Sequence, residues 1–184
     1  VTFSESGAYI LALTASDGQL SRTGVIEATV EIEAGTRSVL TFRQGQAGYS
    51  GTADTFLAEA APAADNSRAP ELSADGDDPG GSGQDSQALL RFDAIFGAAR
   101  SQIPPGARII SAFLDLTATN LGDGARLHRM AEPWEDDESW NAFGGNGVQA
   151  GQEALAAIDA IAPGTTAAVR MDVTKSVAAW AMDH

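Results

Sequence analysis

The densest group of residues able to do chemistry is Asp75-Gly-Asp-Asp-Pro-Gly-Gly-Ser-Gly-Gln-Asp85. Carboxylates one residue apart on a glycine-rich turn can converge, with backbone carbonyls, on a hard cation that takes about 6–8 oxygens, as calcium does. Gly80 to Asp85 also matches the Gly-Gly-x-Gly-x-Asp calcium-binding repeat. Only one copy is present where that architecture stacks several, and the bidentate Glu that closes an EF-hand loop is missing. Asp75, Asp77, Asp78 and Asp85 are the candidate ligands of a structural calcium ion (Ca2+) in this loop, and Asp54, beside a predicted strand, is a candidate calcium ligand where strands meet, or a turn cap or ion-pair partner. The alternative is an acidic loop that solvates itself. Asp93 and Asp172 invite the same two readings: calcium ligands where strands meet, or turn caps and partners of Arg91 or Arg170.

A second group surrounds two tryptophans. Trp134 and Trp140 share a loop with Glu135, Asp136, Asp137, Glu138 and Asn141. The C–H face of a pyranose stacks on indole while polar side chains take its hydroxyls, so Trp134, Glu135, Trp140 and Asn141 are the candidate carbohydrate-binding residues. The competing role for both rings is a lid packed down on the core, favoured for Trp140, and Trp180 is expected in the core. His128 and His184 are the only histidines, too few for a histidine-rich metal centre. No Gly-x-Ser-x-Gly elbow, phosphate loop or dinucleotide fingerprint occurs, and adjacent carboxylates in one loop do not straddle a cleft as glycoside hydrolysis requires. No catalytic residue is assigned, and the chain reads as a non-enzyme.

Composition narrows the partners. Lys plus Arg number 11 against 25 Asp plus Glu in 184 residues, a formal charge of −14. That balance opposes a nucleic-acid backbone and anionic membranes, and suits a solvated extracellular protein or one that recruits divalent cations. The absence of cysteine removes disulfides, thiolate metal sites and cysteine nucleophiles. No stretch approaches the roughly 20 apolar residues of a membrane span, so no membrane insertion is expected.

The elements that must position these residues are short strands. The segment from Val1 to Gly18 alternates around Tyr9, Leu11 and Leu13, Asp17-Gly18 supplies a turn, and Gly24 to Glu33 alternates again, which predicts a hairpin. Further strands are predicted from Val39, over Asp54–Ala58, around Leu72, over Leu89–Phe92, over a long central Ile109–Asn120, from Leu127 to Met130, and over Val169–Val173. The Ala-rich Glu153–Ile161 segment suits a short helix or an irregular strand. Thr174 is placed to cap a helical turn or two through Trp180. Residues 60 to 87, rich in Ala, Pro, Gly, Ser and Asp, predict a long surface loop. Many short strands without strand–helix alternation favour an all-β, antiparallel jelly-roll β-sandwich.

The ordered phrases Ala88-Leu-Leu-Arg-Phe-Asp93, Ile103-Pro-Pro-Gly to Leu116, Leu127-His-Arg-Met-Ala-Glu-Pro-Trp134, Glu138-Ser-Trp-Asn141 and Met171-Asp-Val-Thr174 together resemble the DNRLRE-type β-sandwich. That family is related to carbohydrate-binding modules of secreted bacterial enzymes and surface proteins. The first two strands resemble the end of a polycystic-kidney-disease-like or cadherin-like Ig-fold module. The resemblance implies a partial Ig-like module over residues 1–36, contributing a short N-terminal hairpin, and a jelly roll over residues 37–184 without its last strand. It further implies a secreted or cell-surface bacterial module that binds a polysaccharide or cell-surface glycan, or positions an attached domain. The alternative is a structural subunit of an extracellular fibre or surface layer, self-associating through strand or edge contacts.

Overall fold

The computed structural model describes residues 7–16, 21–30, 37–120, 122, 124–164 and 168–182. The chain divides into two compact units, Val1–Val39 and Leu40–His184. In the first, β1 (Gly7–Ser16) and β2 (Ser21–Val30) form an antiparallel hairpin whose register runs from Gly7 opposite Val30 to Ser16 opposite Ser21. The expected Asp17-Gly18 turn lies outside the described residues.

The second unit is built from β3 (Thr52–Ala58), β4 (Ser86–Phe92), β5 (Phe113–Thr117), β6 (Arg126–Leu127), β7 (Ala160–Ile161), β8 (Ala168–Asp172) and one short helix, α1 (Thr174–Trp180). The fold is all-β. Its described strands pair as four antiparallel two-stranded sheets: β1–β2, β3–β4, β5–β8 and β6–β7. No described helix is long and apolar enough to cross a membrane.

The core follows from strand alternation. Thr55 and Leu57 on β3 are buried, as is Leu89 on β4, whose Cα pairs with that of Thr55. The period of two puts these side chains on one face. Leu57 and Leu89 join Trp134, Trp140 and Phe143 in one apolar cluster, flanked by Met130 and Val148. Trp140 opens a single 3-10 turn, Trp140–Phe143, and its Nε1 donates to the Gly145 carbonyl at 3.1 Å. Gly147, at φ 66°, passes so close beneath the indole that a Cβ would sit 2.7 Å from Trp140 Cη2. Only glycine meets both demands.

Several expectations change. Residues 37–51 form no strand, and Val39 is 94% exposed. The long central strand shrinks to five residues that pair with β8 alone, leaving Ile110 outside the ladder. Leu72 forms no strand; the local pairing is an Asp75–Ser86 bridge instead. Glu153–Ile161 forms no helix and ends in β7. Loop 60–87 is knitted to its surroundings, with Asn66 Nδ2 donating to the Phe56 carbonyl and the Asn141 amide to that of Pro62. Thr174 is the first helical residue and makes no cap bond. Its hydroxyl oxygen accepts the Ala112 amide, and the Asp172 carboxylate, two residues upstream, accepts the Thr174 amide in its place. Trp180 is 37% exposed; the buried helix residue is Ser176, whose hydroxyl donates to Asp159 Oδ2 at 2.8 Å.

Candidate functional site

Trp134 and Trp140 come together, but inside the molecule: each is 4% exposed. Arg91 lies over the Trp134 ring, its Cζ 5.0 Å from the centroid, and its Nη1 donates to the Trp134 carbonyl. Asp93 and Glu135 hold that guanidinium from outside, at 3.0 Å and 3.8 Å. The expected sugar platform is therefore corrected. Neither indole offers a face, because the ring that would stack on a pyranose already stacks on Arg91 and on the core. Glu135 and Asn141 remain at the surface without an exposed aromatic between them.

The acidic loop is organised by its own backbone. Asp77 accepts the Gly83 amide on Oδ1 at 2.6 Å and the Gly81 amide on Oδ2 at 2.7 Å, so both oxygens are engaged. These bonds hold its carboxyl below the usual carboxylate range. Asp75 accepts the Asp77 amide, and Asp78 accepts the Ser73 hydroxyl. Asp85 contributes its backbone, donating its amide to Glu59. Asp54 sits on β3 opposite Leu90, apart from the loop. Among the described residues no group of three or more His, Cys, Asp or Glu side chains is arranged to hold a metal ion. The carboxylates of Asp75, Asp77 and Asp78 turn to backbone amides and a hydroxyl. Asp93 and Asp172 likewise serve Arg91 and the Thr174 amide.

The exposed counterpart of the tryptophan cluster is the outer face of the β5–β8 sheet. Val169 and Met171 point inward, so Arg170 and Asp172 point out, opposite Asp115 and Phe113 in the register. Arg170 donates from Nε to Asp115 Oδ1 at 2.7 Å and from Nη2 to Oδ2 at 2.8 Å, a two-pronged fit of guanidinium to carboxylate. That pairing lowers the Asp115 carboxyl from its ordinary range and raises the Arg170 guanidinium. The guanidinium in turn lies 5.2 Å from the centre of the Phe113 ring, which is 51% exposed. Phe113 was visible in the sequence only as one apolar position of a strand; its outward register depends on pairing with β8.

Comparison of the chain with protein-family models, curated proteins and solved structures found no match.

Proposed function

We propose that this chain is a non-catalytic module of a secreted or cell-surface bacterial protein, a DNRLRE-like jelly roll that binds a glycan or positions an attached domain. The observation that carries the reading is the outer face of the β5–β8 sheet. It presents an aromatic ring steadied by Arg170, with the Asp115–Arg170 pair and Asp172 near it as hydrogen-bonding groups. An exposed ring set among fixed hydrogen-bonding groups is the chemistry by which proteins hold sugars. The test is a glycan array with the wild-type chain and Phe113→Ala. Binding lost in the variant supports the reading, and binding unchanged, or no glycan bound by the wild type, opposes it.

A second reading, a subunit of a fibre or surface layer, is favoured by one feature. Among the described residues strand β5 pairs only with β8, and Leu116 on it is 40% exposed. A strand with one free edge is a template for another chain. Concentration-dependent polymerisation without glycan binding supports this second reading.

A further inference from the structure

A cleft distinct from the outer sheet face opens between β4, residues 126–130 and residues 148–154. Its volume is about 250 Å³, and Gln87, Ala88, Leu89, Arg126, His128, Met130, Val148, Ala150 and Ala154 line it. Arg126, His128 and Met130, two residues apart along the chain, all line it. The Gln87 side chain is clamped by Val148, accepting its amide at 2.8 Å and donating to its carbonyl at 3.2 Å, which fixes that wall. The His128 ring is fixed as well: its Nδ1 lies 2.9 Å from the Leu155 carbonyl, an oxygen that only accepts, so Nδ1 is the donor.

Charge singles this cleft out. On a chain of formal charge −14, its lining holds one arginine, one histidine and no acidic residue. Three arginines are held in ion pairs: Arg91 by Asp93, Arg129 by Asp159 and Arg170 by Asp115. The Arg126 guanidinium has no ion-pair or hydrogen-bond partner among the described residues. A free guanidinium presents a planar fork that matches a carboxylate. Beyond it the walls are apolar, from Leu89, Met130 and Val148.

We propose that this cleft binds a carboxylate carried on a short branched apolar body. Arg126 pairs with the carboxylate, and Leu89, Met130 and Val148 receive the hydrocarbon. The volume lies below the roughly 300–1,000 Å³ of sites for drug-sized ligands, which limits the occupant to a few carbons beyond the acid group. Two sources share this chemistry, a free small acid and the C-terminal residue of a peptide.

The test is an NMR titration of the full chain with 4-methylpentanoate and with the tripeptide Gly-Gly-Leu, each against its amide. The acids are expected to shift the Met130 methyl and Val148 signals, and the neutral amides to bind at least about tenfold more weakly, the scale of one lost charge-assisted contact. Arg126→Gln, at an exposed position, is expected to keep the wild-type melting temperature and to weaken binding by the same factor. Binding of the tripeptide alone assigns the peptide terminus as ligand, and binding of 4-methylpentanoate assigns the free acid. The proposal is overturned if neither acid shifts these signals, if the amides bind as well as the acids, or if the Gln variant binds like the wild type. Should that variant fail to fold, the acid-against-amide comparison on the wild type decides.

Discussion

Two arginines of this protein each lie over an aromatic ring, at nearly the same distance, with opposite consequences. Arg91 sits 5.0 Å from the centre of Trp134, and Arg170 sits 5.2 Å from the centre of Phe113. Trp134 is backed by Leu57, Leu89, Trp140 and Phe143, so Arg91 closes a core. Phe113 stands on the outward register of a two-stranded sheet, so Arg170 steadies a ring that solvent still reaches. The ion pairs divide in the same way. Asp159 is 5% exposed between Arg129 and Ser176, whereas Asp115 and Arg170 are 59% and 66% exposed. The same pair chemistry is cohesion where a layer covers it and an exposed surface feature where none does.

The largest effect should come from emptying the covered side. Trp140→Ala removes an indole from the only apolar cluster of the described core residues and is expected to cost about 3–5 kcal/mol, measured by urea denaturation. A loss no greater than that of a surface substitution would mean that the cluster is not the core. Asp159→Ala comes next. It strands the Arg129 guanidinium, 2.6 Å away, and the Ser176 hydroxyl, and because Arg129 keeps some contact with water the expected cost is about 2–3 kcal/mol.

Arg91→Ala sharpens the comparison directly. It uncovers Trp134 and should red-shift the tryptophan emission while costing about 1 kcal/mol, whereas Arg170→Ala should leave the emission unchanged. Equal spectra for the two variants would erase the distinction between lid and open face. Smaller still is the acid response of the outer pair. Because Arg170 holds the Asp115 carboxyl below its ordinary value of about 3.9, whatever the pair contributes is fully present above that pH. It is lost as pH falls through the lower, folded-state value. An NMR titration of Asp115 should place its midpoint below that of an unpaired Asp, and Arg170→Ala should move it back up. Least of all, chelation with EDTA is expected to leave the melting temperature unchanged, since the Gly81 and Gly83 amides already hold the Asp77 carboxylate. A calcium-dependent rise would show that the loop rearranges.

Legibility in the sequence tracked how local the determining physics was. Strands β1 to β4 and β8 were readable because alternation is a property of neighbouring residues. The reach of β5 was not, because a strand extends only as far as a partner pairs with it, and β8 ends opposite Phe113. The aspartates of residues 75–85 were visible as an acidic, glycine-rich turn, but a backbone amide and a calcium ion ask for the same oxygens. The tryptophans were visible as aromatics near carboxylates, and nothing in residues 134–141 says which side of the rings is covered. Phe113 and Arg126 were passed over because each looks ordinary in its own strand.

Sequence by itself determined the all-β class, the acidic surface, the absence of thiol chemistry and the places where strands can form, since these depend on composition and on the period of two. Only the tertiary structure decided which aromatic rings face water and which carboxylates are already occupied. Exposure and pairing are set by residues distant in the chain: Arg91 over Trp134, Arg170 over Phe113, Val148 against Gln87.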